Sequence, residues 1–250
     1  MSATSYINAP SVIMRGKADA GAEPSNELLY GERVELIKDI QEGWAQIKAR
    51  HDGYEGYIPA NILGRHKDKT HKINVPATHL YETPDFKSAP RHALYFLSPV
   101  HATSAQKNGF TQLANGGWAH TQHLSKTTDI RSDFVETALM FINAPYIWGG
   151  RTAQGIDCSG LVQISLMAAG LPCPRDTKDQ MNSLGENASK DISDLKRGDL
   201  VFFKRHVGIM VDQNQILNAT SRHMGVVVED IRDLEKIYNG IINVRRLARV

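Results

Sequence analysis

Two patterns of apolar and polar residues divide the chain. Up to about residue 126, apolar and polar residues alternate in short runs such as residues 33–37 and 44–48, and Gly, Pro, Asn and Asp interrupt these runs. A period of two is typical of half-buried β-strands, so this part predicts all-β structure. From residue 128 onward, helical spacing comes first and strand-like runs follow, which predicts an α+β arrangement.

The β-rich part contains an internal repeat. The sequence GYIPANIL, which begins at Gly56, is echoed 61 residues later by GWAHTQHL, which begins at Gly117. A repeat of this length corresponds to one small β-barrel per copy. We therefore expect domains at residues 1–66 and 70–126, with polar linkers at 65–72 and 125–129, and a third domain at 128–250.

The third domain begins with two predicted helices. Asp133 and Glu136 have the spacing of an N-terminal cap ahead of an apolar pattern that extends to residue 142. The apolar run at 161–169, closed by Gly170, predicts a second helix with Cys158 in its first turn. Unpaired N–H groups and the helix dipole at that position favour a thiolate over a thiol. Cys158 is therefore a candidate nucleophile, although a lone cysteine at a helix start is more often structural.

Three predicted strands follow, over residues 200–203, 206–210 and 216–220. If the last two form a hairpin, the numbers of opposed residues sum to about 424, and His206 faces Asn218 or its neighbour. An imidazole can take a proton from a thiol, and an amide oxygen can hold the other ring N–H. Cys158, His206 and Asn218 are thus predicted to be the nucleophile, base and orienting residue of acyl transfer.

These segments resemble the NlpC/P60 family of cysteine peptidases, which cleave bacterial cell-wall peptides. The resemblance covers about residues 128–250 and rests on PYIWGG from Pro145, DCSGL from Asp157, RGDLVFF from Arg197 and HVGI from His206. It implies a papain-like catalytic domain with Cys158 as nucleophile and His206 as base. Asn218 stands where most members carry histidine, a departure that the orienting role tolerates. Tyr146 is implied to lie near the cysteine and to help stabilise the oxyanion.

The repeats resemble bacterial SH3 (SH3b) domains. The fold class implied is α+β, a papain-like domain preceded by two small all-β SH3-like barrels. Relatives with this organisation are typically γ-D-glutamyl-L-diamino acid endopeptidases, in which the first SH3b domain walls off the pocket and a free N-terminal L-Ala is required. The resemblance implies substrate-binding roles for Asp157, Ser159, Arg175, Asp176, Thr177, Tyr57 and Glu27. Tyr57 is equally compatible with a place in the barrel core.

Composition and charge limit the classes of partner that this chain is expected to bind. The chain has 250 residues, 41% of them hydrophobic, and a net charge of +2, which gives no basic excess for nucleic acid or an anionic membrane. No apolar run has the length of a membrane span, and no signal sequence follows Met1, so a cytoplasmic location is expected if Met1 is the natural start. The two cysteines form no disulfide framework, no zinc-site spacing is present, and no cofactor is expected.

Three functions remain open at this stage. The first is a cysteine endopeptidase that acts on free stem peptides of peptidoglycan, in cell-wall recycling. The second is an N-acetylmuramoyl-L-alanine amidase, because the same triad can cut either amide bond. The third is a cell-wall-binding protein with an inactive peptidase domain, which only Asn218 favours. An amide can orient an imidazole, so the enzyme is preferred.

Overall fold

The computed structural model describes residues 4–40, 42–65 and 68–248. The chain divides into two units, Met1–Asp129 and Ile130–Val250. Both ends of the first predicted domain, at residues 1 and 66, lie outside the described residues. The predicted boundaries between the three domains stay a prediction.

The first unit is built from strands, as the alternating pattern predicts. Its described residues contain no α-helix, only short 3₁₀ turns at Ala60–Ile62 and Thr121–His123. The strands are β1 (Thr4–Ile7), β2 (Ser11–Arg15), β3 (Pro24–Leu29), β4 (Arg33–Ile40), β5 (Trp44–Ala49), β6 (Glu55–Pro59), β7 (Leu63–Gly64), β8 (His71–Ile73), β9 (Ala77–Tyr81), β10 (Pro90–Tyr95), β11 (Pro99–Val100), β12 (Ala102–Lys107), β13 (Phe110–Leu113), β14 (Trp118–His120) and β15 (Leu124–Lys126).

Strands β1 to β7 form one antiparallel sheet in the order β3-β2-β6-β5-β4-β1-β7. Along β5, half-buried and buried residues alternate strictly, because every second side chain points into the core. That core is a single apolar cluster composed of Ile7, Met14, Leu28, Val34, Ala45, Ile47, Ala49 and Ile58. The first β-rich segment therefore has one apolar core, to which the strands of a single sheet contribute.

Strands β8 to β15 form two smaller sheets, in the orders β10-β9-β14-β13-β12 and β11-β8-β15. The 3₁₀ turns and the strands after them, β7 and β15, repeat at the 61-residue offset of the sequence repeat. The predicted linkers are partly wrong, because Lys72 and Ser125 are paired with each other in strands β8 and β15. Polar composition suggested linkers there, but these residues form the edge of a sheet.

The second unit mixes helices and strands. Its elements are α1 (Phe134–Leu139), β16 (Arg151–Thr152), β17 (Gly155–Ile156), α2 (Cys158–Ala168), α3 (Thr177–Ser183), β18 (Glu186–Asn187), β19 (Leu200–Phe203), β20 (His206–Met210), β21 (Gln215–Thr220), β22 (Gly225–Asp230), α4 (Ile231–Tyr238) and β23 (Asn243–Arg246). None of the helices in the described residues is long and apolar enough to cross a membrane.

The central sheet of this unit has the order β18-β23-β19-β20-β21-β22. Strands β19 and β20 are buried along their whole length, which requires cover on both faces. Helix α2 packs against β20 and β21, while Ile231 and Leu234 of α4 join a cluster with Val201, Phe203 and Met210. Two helices thus hold the middle of the sheet away from water.

Helix α1 begins where the cap pattern predicts. The Asp133 carboxylate accepts hydrogen bonds from the N–H groups of Val135 and Glu136. The helix ends at Leu139, so the last apolar positions of the predicted pattern, Phe141 among them, lie in the turns that follow. Phe141 is nevertheless buried, because those turns pack back onto the domain core.

In the β20–β21 hairpin, the numbers of opposed residues sum to two more than the predicted 424. Ile209 pairs with Leu217 and Met210 with Ile216, so His206 lies diagonal to Asn218 rather than directly opposite it. The tip of the hairpin is one residue further along the chain, since the Val211 N–H donates to the Gln215 carbonyl. An even shift keeps both residues on one face, which preserves the predicted neighbourhood.

Gly160 generates the first prediction, on stability. A Cβ at this position would collide with the carbonyl oxygen of Gly150. Alanine normally favours a helix over glycine, but here we expect Gly160→Ala to lower the free energy of unfolding by about 1–3 kcal/mol through overpacking. Urea unfolding followed by the helical circular-dichroism signal measures the second unit, because the α-helices of the described residues lie there.

The control for this prediction is Gly16→Ala. No atom lies within 4 Å of a Cβ at Gly16, which lies in the first unit. This substitution should change the free energy of unfolding of that unit by less than about 0.5 kcal/mol, followed by tryptophan fluorescence, to which Trp44 and Trp118 of that unit contribute. A stabilised Gly160→Ala variant would contradict the close approach of α2 to the Gly149-Gly150 turn.

Candidate active site

Cys158 is the first residue of helix α2, as the sequence predicts. The side chain of Asp157 caps the helix by accepting the N–H of Gly160 at 2.7 Å. The Cys158 side chain is buried, its sulfur lies 4.0 Å from the Thr177 hydroxyl, and the backbone N–H of Val207 donates to it. The sulfur is therefore placed beside the start of β20, where His206 is located.

The Asp157 carboxylate is the centre of a buried network. One oxygen accepts the N–H of Gly149 at 2.8 Å and an Arg175 N–H at 2.6 Å. The other accepts a second Arg175 N–H at 2.9 Å, in addition to the Gly160 N–H. Arg175 also donates to the Ser159 hydroxyl at 2.8 Å. This fork-like ion pair fixes the turn before the cysteine and the first turn of α2 at once.

His206 begins strand β20 immediately after a tight turn in which Arg205 has a φ of 61°. Its Nε2 lies 3.0 Å from the Oδ1 of Asn218, and both residues are buried. The ring of Tyr238, on α4, stacks on the imidazole with centroids 4.8 Å apart and planes within 10° of parallel. With Nε2 bonded to the amide, Nδ1 is the ring nitrogen that can take a proton from the thiol.

Asn218 is itself held from behind. Its Nδ2 donates to the Oε2 of Glu229 at 2.9 Å, and Glu229 accepts two hydrogen bonds from Arg222 at 2.6 and 2.9 Å. His223 contacts the same carboxylate at 3.2 Å. Burial raises the pKa of Glu229, but the hydrogen bonds from Arg222 and Asn218 outweigh it and hold the pKa below its usual value. Glu229 is therefore ionised at neutral pH.

Burial controls the protonation of the Cys158 thiol and the His206 imidazole. It raises the pKa of Cys158 to about 11, and the charge of Asp157 adds to the effect, while bonds from Val207 and Thr177 offset only part of it. Burial also lowers the pKa of His206 to about 4. The resting pair is a neutral thiol beside a neutral imidazole. The expectation that the helix start stabilises a thiolate is wrong for this resting state, because desolvation outweighs the helix dipole.

Tyr146 is half-buried and belongs to the Gly-rich turn before the cysteine. Burial raises the pKa of its phenol well above the usual value, and the negative charges of Asp157 and of a Cys158 thiolate, once one forms, act in the same direction. The phenol therefore stays protonated and can donate a hydrogen bond. Its role at the oxyanion stays a prediction.

Among the residues predicted to bind substrate, those beside the cysteine are engaged with one another. Arg175 is 3% exposed and Asp157 4% exposed, and their charged atoms are bonded to each other. The pair holds the turn before the cysteine, and a direct contact of either residue with substrate stays a prediction. Asp176 is exposed at the start of α3, and Thr177 lies near the sulfur, so their binding roles stay predictions.

The two candidates in the first unit have different surroundings. Glu27, on β3, is 5% exposed and follows Asn26, whose Oδ1 accepts the Glu27 N–H at 2.8 Å. Tyr57, on β6, is half-buried and alternates with Ile58, which belongs to the apolar core. Tyr57 therefore faces away from the core, against its reading as a core residue. Substrate binding by either residue stays a prediction.

Sequence reasoning missed Glu229, Arg222 and Tyr238. Glu229 pairs with Ile216 across β21 and β22, so no motif marks it as a neighbour of the Asn218 side chain. The sequence did contain one usable signal. The nitrogen of a buried Asn218 amide needs an acceptor, and the next strand along the chain carries the carboxylate of Glu229. Among the described residues, no cluster of three or more His, Cys, Asp or Glu could hold a metal ion.

The fold and the site are those of a cysteine peptidase of papain-like architecture, with Cys158 at a helix start and His206 on a strand that packs against this helix. Comparison with known families agrees. Residues 143–241 match the model of the NlpC/P60 family, and residues 14–63 match the bacterial dipeptidyl-peptidase SH3 domain. The chain therefore contains an NlpC/P60 domain at residues 143–241, and a bacterial SH3 domain at residues 14–63 precedes it. The SH3 identity of the second β-rich segment stays a prediction.

Two curated relatives are similar along most of the chain. The dipeptidyl-peptidase 6 of Lysinibacillus sphaericus is 27% identical over 243 residues, 88% of this chain and 89% of the relative. The γ-D-glutamyl-L-lysine dipeptidyl-peptidase of Bacillus subtilis (strain 168) is 28% identical over 237 residues, 85% and 77% of the two chains. A solved NlpC/P60 family protein from Bacillus cereus ATCC 10987 has the same fold, with a TM-score of 0.83, 17% identity, and coverage of 98% of this chain and 99% of that one.

The neutral catalytic pair generates a pH prediction. Below a pKa of about 11 the Cys158 thiolate fraction rises about tenfold per pH unit, so the rate of its alkylation by iodoacetamide should rise steadily from neutral to alkaline pH. Mass spectrometry of the peptide that contains Cys158 separates this rate from that of Cys173. A rate that is constant between about pH 5 and 8 would instead indicate a thiolate–imidazolium pair.

The buried ion pair generates a second prediction. Arg175→Met leaves the Asp157 carboxylate buried without its cation, so we expect the free energy of unfolding to fall by about 3–5 kcal/mol. The matched control is Arg197→Met, which removes an exposed pair with Asp133 and Glu136 and should cost less than about 1 kcal/mol. Equal losses in the two variants, measured by urea unfolding, would remove the anchoring role of Arg175.

Proposed function

We propose that the protein is an endopeptidase that hydrolyses the γ-D-glutamyl–diamino acid bond of peptidoglycan stem peptides with a free N-terminal L-Ala. The observation that carries this proposal is the likeness to two relatives named dipeptidyl-peptidases along 88% and 85% of the chain. That likeness includes the SH3 region as well as the catalytic part. An enzyme that releases dipeptides has to recognise a free N-terminus two residues before the cut.

Relatives that share only the catalytic part are named for other activities. The murein DD-endopeptidase MepS/murein LD-carboxypeptidase of Escherichia coli (strain K12) is 35% identical over 126 residues, which is 47% of this chain and 65% of that protein. Its higher identity is confined to about half of this chain. The wider match favours the dipeptidyl-peptidase activity, because the part of a peptidase outside the triad selects the substrate.

The mechanism starts from the neutral pair. As the Cys158 sulfur attacks the γ-carbonyl of D-Glu, its proton passes to Nδ1 of His206, and Asn218 Oδ1 holds the Nε2–H of the imidazolium that forms. First-turn N–H groups of α2 and the Tyr146 phenol stabilise the oxyanion. The imidazolium then protonates the leaving amine of the diamino acid. Water, deprotonated by His206, hydrolyses the thioester, and L-Ala-D-Glu leaves with a free γ-carboxylate.

Recognition of the peptide ends needs opposite charges. The free amine of L-Ala needs a carboxylate, for which Asp176 is a candidate, and hydroxyl donors such as Thr177 suit the D-Glu α-carboxylate. The buried pair of Asp157 and Arg175 contributes by holding the backbone of the cysteine turn.

The test compares four peptides by mass spectrometry: L-Ala-γ-D-Glu-diaminopimelate, its L-Lys counterpart, the same peptide with an acetylated amine, and the peptide linked to N-acetylmuramic acid. We expect release of L-Ala-D-Glu from the free peptides and less than about 1% of that rate from the blocked ones, because acylation removes the positive charge that a recognising carboxylate would pair with. Cleavage of the lactyl amide would identify an amidase. No cleavage of any peptide would leave a binding protein.

Two cysteine variants control this experiment. Cys158→Ala removes the nucleophile and should abolish turnover while the helical circular-dichroism signal is kept. Cys173→Ala removes the other cysteine, which is buried in the same unit and donates to the Pro174 carbonyl, and should keep turnover. Residual cleavage by Cys158→Ala would rule out covalent catalysis by this thiol.

A further inference from the structure

The amide of Asn218 has two ends with opposite chemistry. Its oxygen accepts hydrogen bonds and its nitrogen donates them, although the two ends have nearly the same shape. If the oxygen faces His206, the imidazole carries its proton on Nε2 and Nδ1 is free to act as the base. If the nitrogen faced His206, Nε2 would have to accept, and the proton would move to Nδ1. Base catalysis therefore depends on which way the amide is turned.

Glu229 distinguishes the two orientations. The Asn218 Nδ2 lies 2.9 Å from the Glu229 Oε2, while its Oδ1 lies 3.0 Å from the His206 Nε2. An ionised carboxylate can only accept, so it stabilises the amide with its nitrogen toward Glu229. Turning the amide over would place its oxygen against the carboxylate and its nitrogen against the ring, which loses both bonds at a buried residue.

Arg222 and Tyr238 hold the same assembly from the other side. Arg222 donates to Glu229 at 2.6 and 2.9 Å and is also hydrogen-bonded to the Tyr238 side chain. Tyr238 in turn stacks on the imidazole of His206 at 4.8 Å. Each of these residues contacts the next. The contacts lead from His206 through Asn218, Glu229, Arg222 and Tyr238 and return to the imidazole of His206. The plane of the ring and the direction of its N–H are thus fixed by two different routes.

We propose that Glu229 is a positioning residue of the active site, which sets the orientation of the Asn218 amide and thereby the tautomer of His206. Glu229 does not touch the reacting atoms and acts only through Asn218. The inference deepens the proposed function, and its kinetic test rests on that function. The tautomer can be measured without any substrate, so a wrong substrate assignment would not hide the result.

The test measures the ring nitrogens of His206 by nitrogen-15 NMR at neutral pH in the unsubstituted protein and in Glu229→Gln. We expect a proton on Nε2 alone in the former and a mixture of the two tautomers in the latter, because a glutamine side chain can bond either end of the Asn218 amide. On the stem tripeptide, kcat should fall about tenfold, as is found when a hydrogen-bond partner that orients a functional histidine is removed. KM should change less than about twofold, because Glu229 does not touch the substrate. An unchanged tautomer in Glu229→Gln would overturn the proposal, whatever the value of kcat.

The matched control is Glu136→Gln, which makes the same change to an exposed carboxylate paired with Arg197. It should leave the tautomer and kcat as they are. A fall in kcat equal to that of Glu229→Gln would mean that loss of a paired carboxylate is enough, and would refute a role specific to Glu229.

A second variant keeps the proposal testable if Glu229→Gln folds poorly. Asn218→Asp/Glu229→Gln exchanges the carboxylate and the amide, so that position 218 accepts the Nε2–H through either oxygen and position 229 donates to it. We expect the Nε2–H tautomer to return and kcat to exceed that of Asn218→Asp alone by about fivefold or more, because that single variant sets two carboxylates against each other. A double variant with a mixed tautomer, or no faster than Asn218→Asp, would exclude this role for Glu229.

Discussion

The buried carboxylate of Asp157 holds together the part of the structure on which catalysis depends. It accepts N–H groups from Gly149 and Gly160 and a two-pronged contact from Arg175, so three chain segments converge on one charge. A buried ion pair of this kind adds little net stability compared with apolar packing. Removing only one of its two partners is nevertheless costly, because the other charge is left buried and unpaired. What it supplies here is a fixed direction for the start of α2. Gly160 follows from the same constraint, since its backbone comes too close to the Gly150 carbonyl for a side chain, and Gly149 has a φ of 81°, which favours glycine.

Burial at this helix start decides the chemistry of the nucleophile. A helix N-terminus stabilises a negative charge by about 0.3–1 kcal/mol, and by about 2 kcal/mol in favourable buried geometry. Desolvation of a buried thiol can shift its pKa by several units, and each unit corresponds to about 1.4 kcal/mol. Desolvation therefore wins at Cys158, and the same effect keeps His206 neutral. The thiolate has to form as the substrate reacts, which makes the orientation of the imidazole more important than its resting charge.

That orientation is set at some distance from the sulfur. The Asn218 side chain contacts the imidazole, and an amide has two ends that are alike in shape. The carboxylate of Glu229 removes this ambiguity by accepting only from the nitrogen end. Tyr238 adds a stacked face that limits rotation of the ring. The orientation of the His206 imidazole therefore depends on residues of β21, β22 and α4 together.

The sequence by itself determined the order of elements, the helix that begins at Cys158, and the strands that carry His206 and Asn218. These are local properties, because apolar periodicity, caps and glycine stops act within a few residues. The repeat at 61 residues also predicted two similar β-rich segments. Only the tertiary structure decided the hairpin register, the pairing of the predicted linkers as strands, the mutual engagement of Asp157 and Arg175, and the place of Glu229. These depend on desolvation and on side chains brought together from distant parts of the chain, which no local pattern of residues encodes.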